Sequence, residues 1–287
     1  MIQDHENIFK HTAIVDADPV IWIACNKNKT YDKYNMPIKE DGKLVYTDKT
    51  LQEAYDTCDS YITDILFHTK ADSYVMYLST GKPTFRYYID TSYKSNRAGL
   101  EKPMWFKEVK QYLRDKWGAV EVDELEADDL ISITKNHLKN SYIIASDKDI
   151  LDCIPGRHFD ARRNRMTWID VSYPEARYNF ARSILTGDSI DGIPNLIKGM
   201  GPKTAESELN KRMDYNNPVT CALLTYVSYL GEREGFSRFT NQYMLLKLLD
   251  NLNEVPKHLE FKIPSPICFN CVEAILSQPF YNLEYSS

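Results

Sequence analysis

The chain contains no apolar run approaching the roughly 20 residues that a membrane-spanning helix needs. Its first residues, Met1–Asn7, form neither a basic nor an apolar segment of the kind that directs export. No membrane contact is expected, and the expected location is the cytoplasm. Cysteine is sparse and scattered, at 25, 58, 153, 221, 268 and 271. In a chain of this length without an export signal, free thiols are expected rather than disulfides. Cys268-x-x-Cys271 has half the spacing of a zinc site, but no second Cys or His pair stands near it, so zinc is not expected there. An excess of positive charge is also lacking. Thirty-five Lys and Arg stand against 41 Asp and Glu, a net charge of −6 with a pI near 5.6. That argues against a protein that coats nucleic acid nonspecifically, though not against an enzyme with a local basic track. No internal repeat or low-complexity stretch is evident.

What the 287 residues do provide is length for one large domain or two modest ones, with an ordinary 43% of hydrophobic residues. The apolar runs Ala13–Val15, Ser73–Leu78, Ala119–Val122 and Tyr142–Ala145 read as strands, with a fifth at Met166–Ile169. Between them lie helical patterns at 17–25, 50–69, from Pro103 to about Lys116, and from Glu126 to about Lys139. Residues 26–50 read as loop, with a hairpin at Asp41-Gly42. Strand and helix alternate, which predicts a mostly parallel α/β sheet. From Tyr173 the pattern turns helical, with candidates at 173–186, 203–212, 217–231 and 236–250. A domain boundary is therefore expected near 172, separating 1–172 from 173–287.

The acidic residues are positioned, not only numerous. Asp16 and Asp147 each follow an apolar strand, and Asp149 lies two residues beyond. Open α/β sheets form their sites outside the carboxyl ends of strands. In Glu124–Asp129 (E-L-E-A-D-D), Glu126 and Asp129 are three apart and would share a helix face, with Asp128 beside them. Asp188 and Asp191 repeat that spacing. Taken singly, each pair is an ordinary helix cap or solvated face. Together they are costly, since two carboxylates about 4 Å apart repel by roughly 1 kcal/mol in water and roughly 4 at an effective dielectric near 20. Hard divalent cations, Mg²⁺ or Mn²⁺, are the natural counter-charge for oxygen ligands. The chemistry that needs such a cluster is phosphodiester hydrolysis.

Two further stretches suit a phosphate. Gly199-Met-Gly201-Pro202-Lys203-Thr204 places Gly-x-Gly before a helix start, where backbone N–H groups can hold an anion. Tyr93-Lys94-Ser-Asn-Arg97 combines an aromatic face with a point charge and a bidentate donor. Arg157, His158, Arg162, Arg163 and Arg165 read as a solvated loop or a duplex contact.

In order along residues 12–206, I-V-D (Asp16), Y-K-x-N-R (Tyr93 to Arg97), E-A-D-D (Glu126 to Asp129), S-D-K-D (Asp147 to Asp149), and G-D-x-x-D-G-I-P with G-x-G-P-K-T-A resemble the 5′-nuclease family. That family comprises flap endonucleases and 5′–3′ exonucleases, including small bacteriophage replication enzymes and the nuclease domain of bacterial DNA polymerase I. The resemblance implies a PIN-like α/β fold whose mostly parallel sheet is flanked by helices. It also implies a helical arch, short here, at about 85–117, and a C-terminal helical region with a helix–three-turn–helix (helix–hairpin–helix) at about 185–212. The expected ligands of two Mg²⁺ or Mn²⁺ ions are Asp16, Glu126, Asp128, Asp129, Asp147, Asp149, Asp188 and Asp191. Lys94 and Arg97 are expected to contact the scissile phosphate. Tyr93, Gly199, Gly201, Lys203 and Thr204 are expected to bind nucleic acid, and the helix–hairpin–helix often holds K⁺. The implied partners are DNA with free 5′ ends, flaps or nicks, with RNA–DNA hybrids and replication proteins as further classes. A viral member would act in the host cytoplasm.

One departure stands out. The family usually carries another metal-binding Asp after the second strand, where this chain has Ser79, Thr80 and Gly81. Asp90 and Asp18 are the candidates to replace it. A non-catalytic DNA-binding protein on a degenerate nuclease fold is the rival reading. A PIN-type ribonuclease toxin is a poorer one, because such chains are shorter and lack the helix–hairpin–helix.

Overall fold

The computed structural model describes residues 11–162, 164–212, 216–254 and 281–282. Among them the strands are β1 (Thr12–Asp16), β2 (Asn28–Lys29), β3 (Lys39–Glu40), β4 (Lys43–Leu44), β5 (Tyr46–Thr47), β6 (Ser73–Tyr77), β7 (Ser141–Ala145), β8 (Gly156–Asp160), β9 (Thr167–Val171) and β10 (Tyr281–Asn282). The helices are α1 (Asp18–Cys25), α2 (Leu51–Thr69), α3 (Phe85–Ile89), α4 (Phe106–Trp117), α5 (Ala127–His137), α6 (Lys148–Cys153), α7 (Tyr173–Thr186), α8 (Pro202–Asn210), α9 (Pro218–Leu230) and α10 (Glu232–Leu246). A 3-10 turn covers Ser95–Arg97.

The central sheet has the order β10-β6-β1-β7-β8-β9. β6, β1, β7 and β8 run parallel, while β10 and β9 close the two edges antiparallel. Every residue of β1, β6 and β7 is buried, which is why their sequences are near-continuous apolar runs rather than alternating ones. From β1 the chain moves to β6 on one side, then crosses to β7 on the other. The strand order therefore reverses at β1, and the carboxyl ends of β6, β1 and β7 border a crevice.

Helices cover both faces. Ile62, Ile65 and Leu66 of α2, with Val109 and Leu113 of α4, pack on one side of the sheet. Leu130, Ile131 and Ile133 of α5 pack on the other. Burying one such side chain contributes about 1.5–3 kcal/mol. Helix α2 starts in a capping box, Thr50 Oγ1 accepting from Glu53 N and Glu53 Oε2 accepting from Thr50 N. A third apolar cluster, with Ile184, Leu185, Leu209, Ala222 and Tyr226, gathers α7, α8 and α9.

Several sequence expectations need correction. Ala119–Val122 is not a strand; Val120 makes a single parallel bridge to Tyr77. Arg157 and His158 lie on β8, not in a loop, and the His158 ring is fully buried. Arg162 pairs with Asp160. The helix expected from Pro103 begins at Phe106. Within the segment 85–117, α4 packs on α1 and α2, and Arg86 is buried. The hairpin at Asp41-Gly42 forms, with both residues at positive φ as its two-residue turn requires. Cys25, Cys58, Cys153 and Cys221 are free thiols, while Cys268 and Cys271 lie outside the described residues. No helix among the described residues is long and apolar enough to cross a membrane.

Candidate active site

The crevice collects carboxylates from the ends of β1 and β7, the starts of α5 and α6, and the turn after α7. Asp16 closes β1, and its Oδ1 accepts from Asp18 N at 3.2 Å. Asp147 caps α6 beyond β7, accepting from Asp149 N at 2.7 Å. Asp188 accepts from Ile190 N at 2.7 Å. Each of the three is thus held through one oxygen by the amide two residues on. Asp128 projects from the first turn of α5, and Glu126 caps that helix.

The electrostatics show which carboxylates face one another. Burial raises Asp16 well above the usual carboxylate range, and Asp18 and Asp147 raise it further. Burial does the same to Asp128, reinforced by Asp16 and then Asp147. Asp149 is pushed up to about 7 by burial and by Asp147. Burial also raises Asp191, against the pull of Lys94 and Arg97. Asp188 moves the other way: burial opposes its charge, but the Ile190 amide and the ammonium of Lys148, 3.3 Å away, outweigh it. A cluster whose members raise one another is short of positive charge.

The cations present sit at one rim. Lys94 Nζ lies 2.7 Å from Glu126 Oε1 and 3.6 Å from Asp191 Oδ2. Burial would lower the Lys94 ammonium, but Glu126 and Asp191 raise it overall, so it stays charged. Burial would likewise raise Glu126, and Arg86 and Lys94 pull it below its usual range. Arg97 forms a very short ion pair with Asp191. Tyr93 donates its hydroxyl toward Glu126 and Asp191 at 3.1 and 3.2 Å.

The backbone fixes this rim. Lys94 N donates to Asp191 O at 2.8 Å, and Asn96 Nδ2 donates to Ser189 O and Ile190 O. Lys94 itself is left-handed, with φ of 56°, where it begins the 3-10 turn. The Y-K-S-N-R and D-S-I-D-G stretches, nearly a hundred residues apart in sequence, are therefore one docked unit. Gly187 makes this possible: it ends α7 at φ 64°, and a Cβ there would collide with the Ile193 and Pro194 carbonyls.

Asp129 does not join the cluster. It is fully buried and forms a two-pronged ion pair with Arg86, at 2.6 and 2.8 Å. Arg86 also donates to Leu245 O and Lys247 O, and Asp129 accepts from Leu249 N. The pair ties α3 and α5 to the end of α10. No local pattern in the sequence signals the pair, because its two members are 43 residues apart. Gly199 and Gly201 precede α8, and Lys203 and Thr204 are exposed in its first turn.

Among the described residues, no three His, Cys, Asp or Glu side chains are gathered closely enough to hold a metal ion as they stand. Asp147 raises the proton affinity of both Asp16 and Asp128, and Asp16 raises that of Asp128. The donors are all carboxylate oxygens, with no His or Cys, which fits a hard divalent cation rather than zinc or copper.

The 5′-3′ exonuclease N-terminal resolvase-like domain matches residues 29–179 of this chain. No curated protein matches it by sequence. Among solved structures, a bacteriophage T5 flap endonuclease in a pseudo-enzyme–product complex with DNA and metal ions aligns with a TM-score of 0.62. It is 14% identical, and the alignment covers 94% of this chain and 100% of that one. The bacteriophage T5 5′-exonuclease with bound zinc aligns at 0.57 and 17% identity, covering 93% and 100%. The catalytic core of Rad2 with DNA substrate aligns at 0.50 and 14%, covering 93% of each chain. These similarities show a common fold. With its strand-end carboxylates, its docked Y-K-S-N-R loop and a matched domain spanning more than half its length, the chain belongs to the 5′-3′ exonuclease family.

Proposed function

We propose that this protein is a divalent-metal-dependent 5′ nuclease that hydrolyses phosphodiester bonds near the 5′ ends of DNA. The observation that carries the reading is the docked rim, where Lys94 and Arg97 stand against Glu126 and Asp191 at the edge of a carboxylate crevice. Asp16, Glu126, Asp128 and Asp147 would hold one cation; Asp149, Asp188 and Asp191 would hold a second. When bound, such ions lower the pKa of an attacking water and stabilise the leaving oxygen.

The chain's own residues do the rest. Lys94, kept charged by its neighbours, presents an ammonium to a phosphate oxygen. Arg97 adds a planar donor pair suited to the same group. Tyr93 is buried against both carboxylates and holds the rim in register. Lys203 and Thr204, with the amides after Gly199 and Gly201, would grip a backbone phosphate of the duplex. A K⁺ ion in the connection between α7 and α8 belongs to the same proposal, and comparing duplex affinity in K⁺ and Na⁺ tests it. The bacteriophage T5 flap endonuclease with DNA and metal ions supports the reading by its shared fold.

The test is cleavage of a 5′-labelled flap or nicked duplex with Mg²⁺ and then with EDTA, with an RNA-primed strand run in parallel. Cleavage that depends on a 5′ end and on Mg²⁺ is expected. Duplex binding without cleavage in either Mg²⁺ or Mn²⁺ would leave the non-catalytic reading in its place.

A further inference from the structure

The end of β6 is where the crevice lacks a carboxylate of its own. β6 lies beside β1 in register, Tyr77 opposite Asp16, and the residues that follow are Ser79, Thr80 and Gly81. Yet the position is not empty of acid. Asp18, the first residue of α1, turns both carboxylate oxygens to the Ser79 amide, each at 3.2 Å. Its own amide donates to Asp16 Oδ1 at 3.2 Å, which sets the two carboxylates side by side.

Ser79 is itself held on three sides. Its amide donates to Asp18, its Oγ accepts from Ala127 N at 3.1 Å, and its carbonyl accepts from Lys110 Nζ at 2.7 Å. Ala127 opens α5, so this turn fixes Asp18 relative to the helix that carries Asp128. A cap for one amide needs no charge, yet Asp18 sets a second carboxylate beside Asp16, with Lys110 and Lys94 as the ammonium groups that favour its charged form. Asp90 does not compete for the position, because its Oδ1 accepts from Ser92 N and Ser92 Oγ within its own turn.

We infer that Asp18 is a ligand of the divalent cation held at the ends of β1 and β6, and that Ser79 is its positioning residue. The inference rests on the metal-dependent reading above and names the donor that completes its β6 side.

Calorimetric titration of Mn²⁺ into the full chain, with melting curves in EDTA, tests it. The wild type is expected to take up Mn²⁺, Asp18→Asn to bind it at least about tenfold more weakly, and Asp90→Asn to match the wild type. In EDTA, Asp18→Asn is expected to melt at or above the wild type, since Asn still accepts from Ser79 N and removes the repulsion with Asp16. Asp18→Asn with wild-type Mn²⁺ affinity overturns the inference and leaves the metal reading standing. Weakening by Asp90→Asn instead, or an Asp18→Asn that melts well below wild type in EDTA, also overturns it. A wild type that takes up no Mn²⁺ removes the metal reading and the inference together. Should Asp18→Asn fail to fold, Asp18→Ser carries the same comparison.

Discussion

Single side chains separate binding from chemistry in this fold. Asp147 and Lys94 belong to the crevice and its rim, away from the α8 turn proposed to hold the duplex. Asp147→Ala and Lys94→Ala are each expected to lower single-turnover cleavage about 100-fold or more, while duplex affinity changes only about threefold. Wild-type cleavage by Asp147→Ala would refute the assignment of the crevice. His158 gives a pH signature. Its Nε2–H donates to Ile154 O at 2.7 Å, and its buried Nδ1 has no hydrogen-bond partner. Burial pushes the imidazole down to about 4 from its ordinary 6.5. Above pH 6.5 it is neutral in both folded and unfolded chains. Between about 6.5 and 4 only the unfolded chain takes up the proton, so stability falls as pH falls through that window. At full effect the loss is on the order of 3 kcal/mol. The His158 ring resonance should remain that of a neutral imidazole at pH 5.5, and a midpoint near 6.5 would contradict the burial argument.

At the scale of elements, the Arg86–Asp129 pair joins α3 and α5 to the end of α10. Removing one partner of a buried ion pair strands the other, which typically costs about 3–5 kcal/mol. Arg86→Ala is therefore expected to lower unfolding free energy in denaturant titrations by about that amount. Arg86→Ala combined with Asp129→Ala should cost less than the sum of the two single changes. The same pair marks where the sequence was legible and where it was not. β1, β6 and β7 could be read because strands buried on both faces must be apolar throughout, and α2 because its spacing and Thr50–Glu53 box are local. Asp16 and Asp147 followed from strand ends. Asp129 was misread because the spacing of E-A-D-D is satisfied equally by a ligand face and by an inward ion pair. The choice depends on Arg86, 43 residues away. β8 is not legible as a strand because Arg157 and His158 interrupt any apolar run, and its partner β9 supplies the pairing. Asp18 and Asp90 are equal candidates in the sequence for the gap at Ser79, and only the contact of Asp18 with the Ser79 amide separates them.

For the whole molecule, the sign of the charge is divided by task. The chain is acidic overall, and the crevice is lined by carboxylates. Duplex contact is assigned to a few exposed groups such as Lys203. Affinity for a duplex should then fall with salt, with a log–log slope of about −0.9 per phosphate contacted. Lys203→Ala should reduce that slope by about one contact while leaving the rate from the bound state near wild type. An unchanged slope across 50–200 mM salt would remove Lys203 from the interface.

The short turns at Asp16, Asp147 and Asp188 have a consequence for how this architecture tolerates change. Each aspartate is oriented by an amide two residues away in its own segment, so its aim is settled within three residues of chain. The connections between those segments carry no such information. Residues 26–50 and 98–105 can therefore lengthen or shorten without altering these three local turns, whereas one residue inserted between Asp147 and Asp149 would misdirect Asp147. Substrate preference is free to vary in the connections while the chemistry stays written in three-residue units.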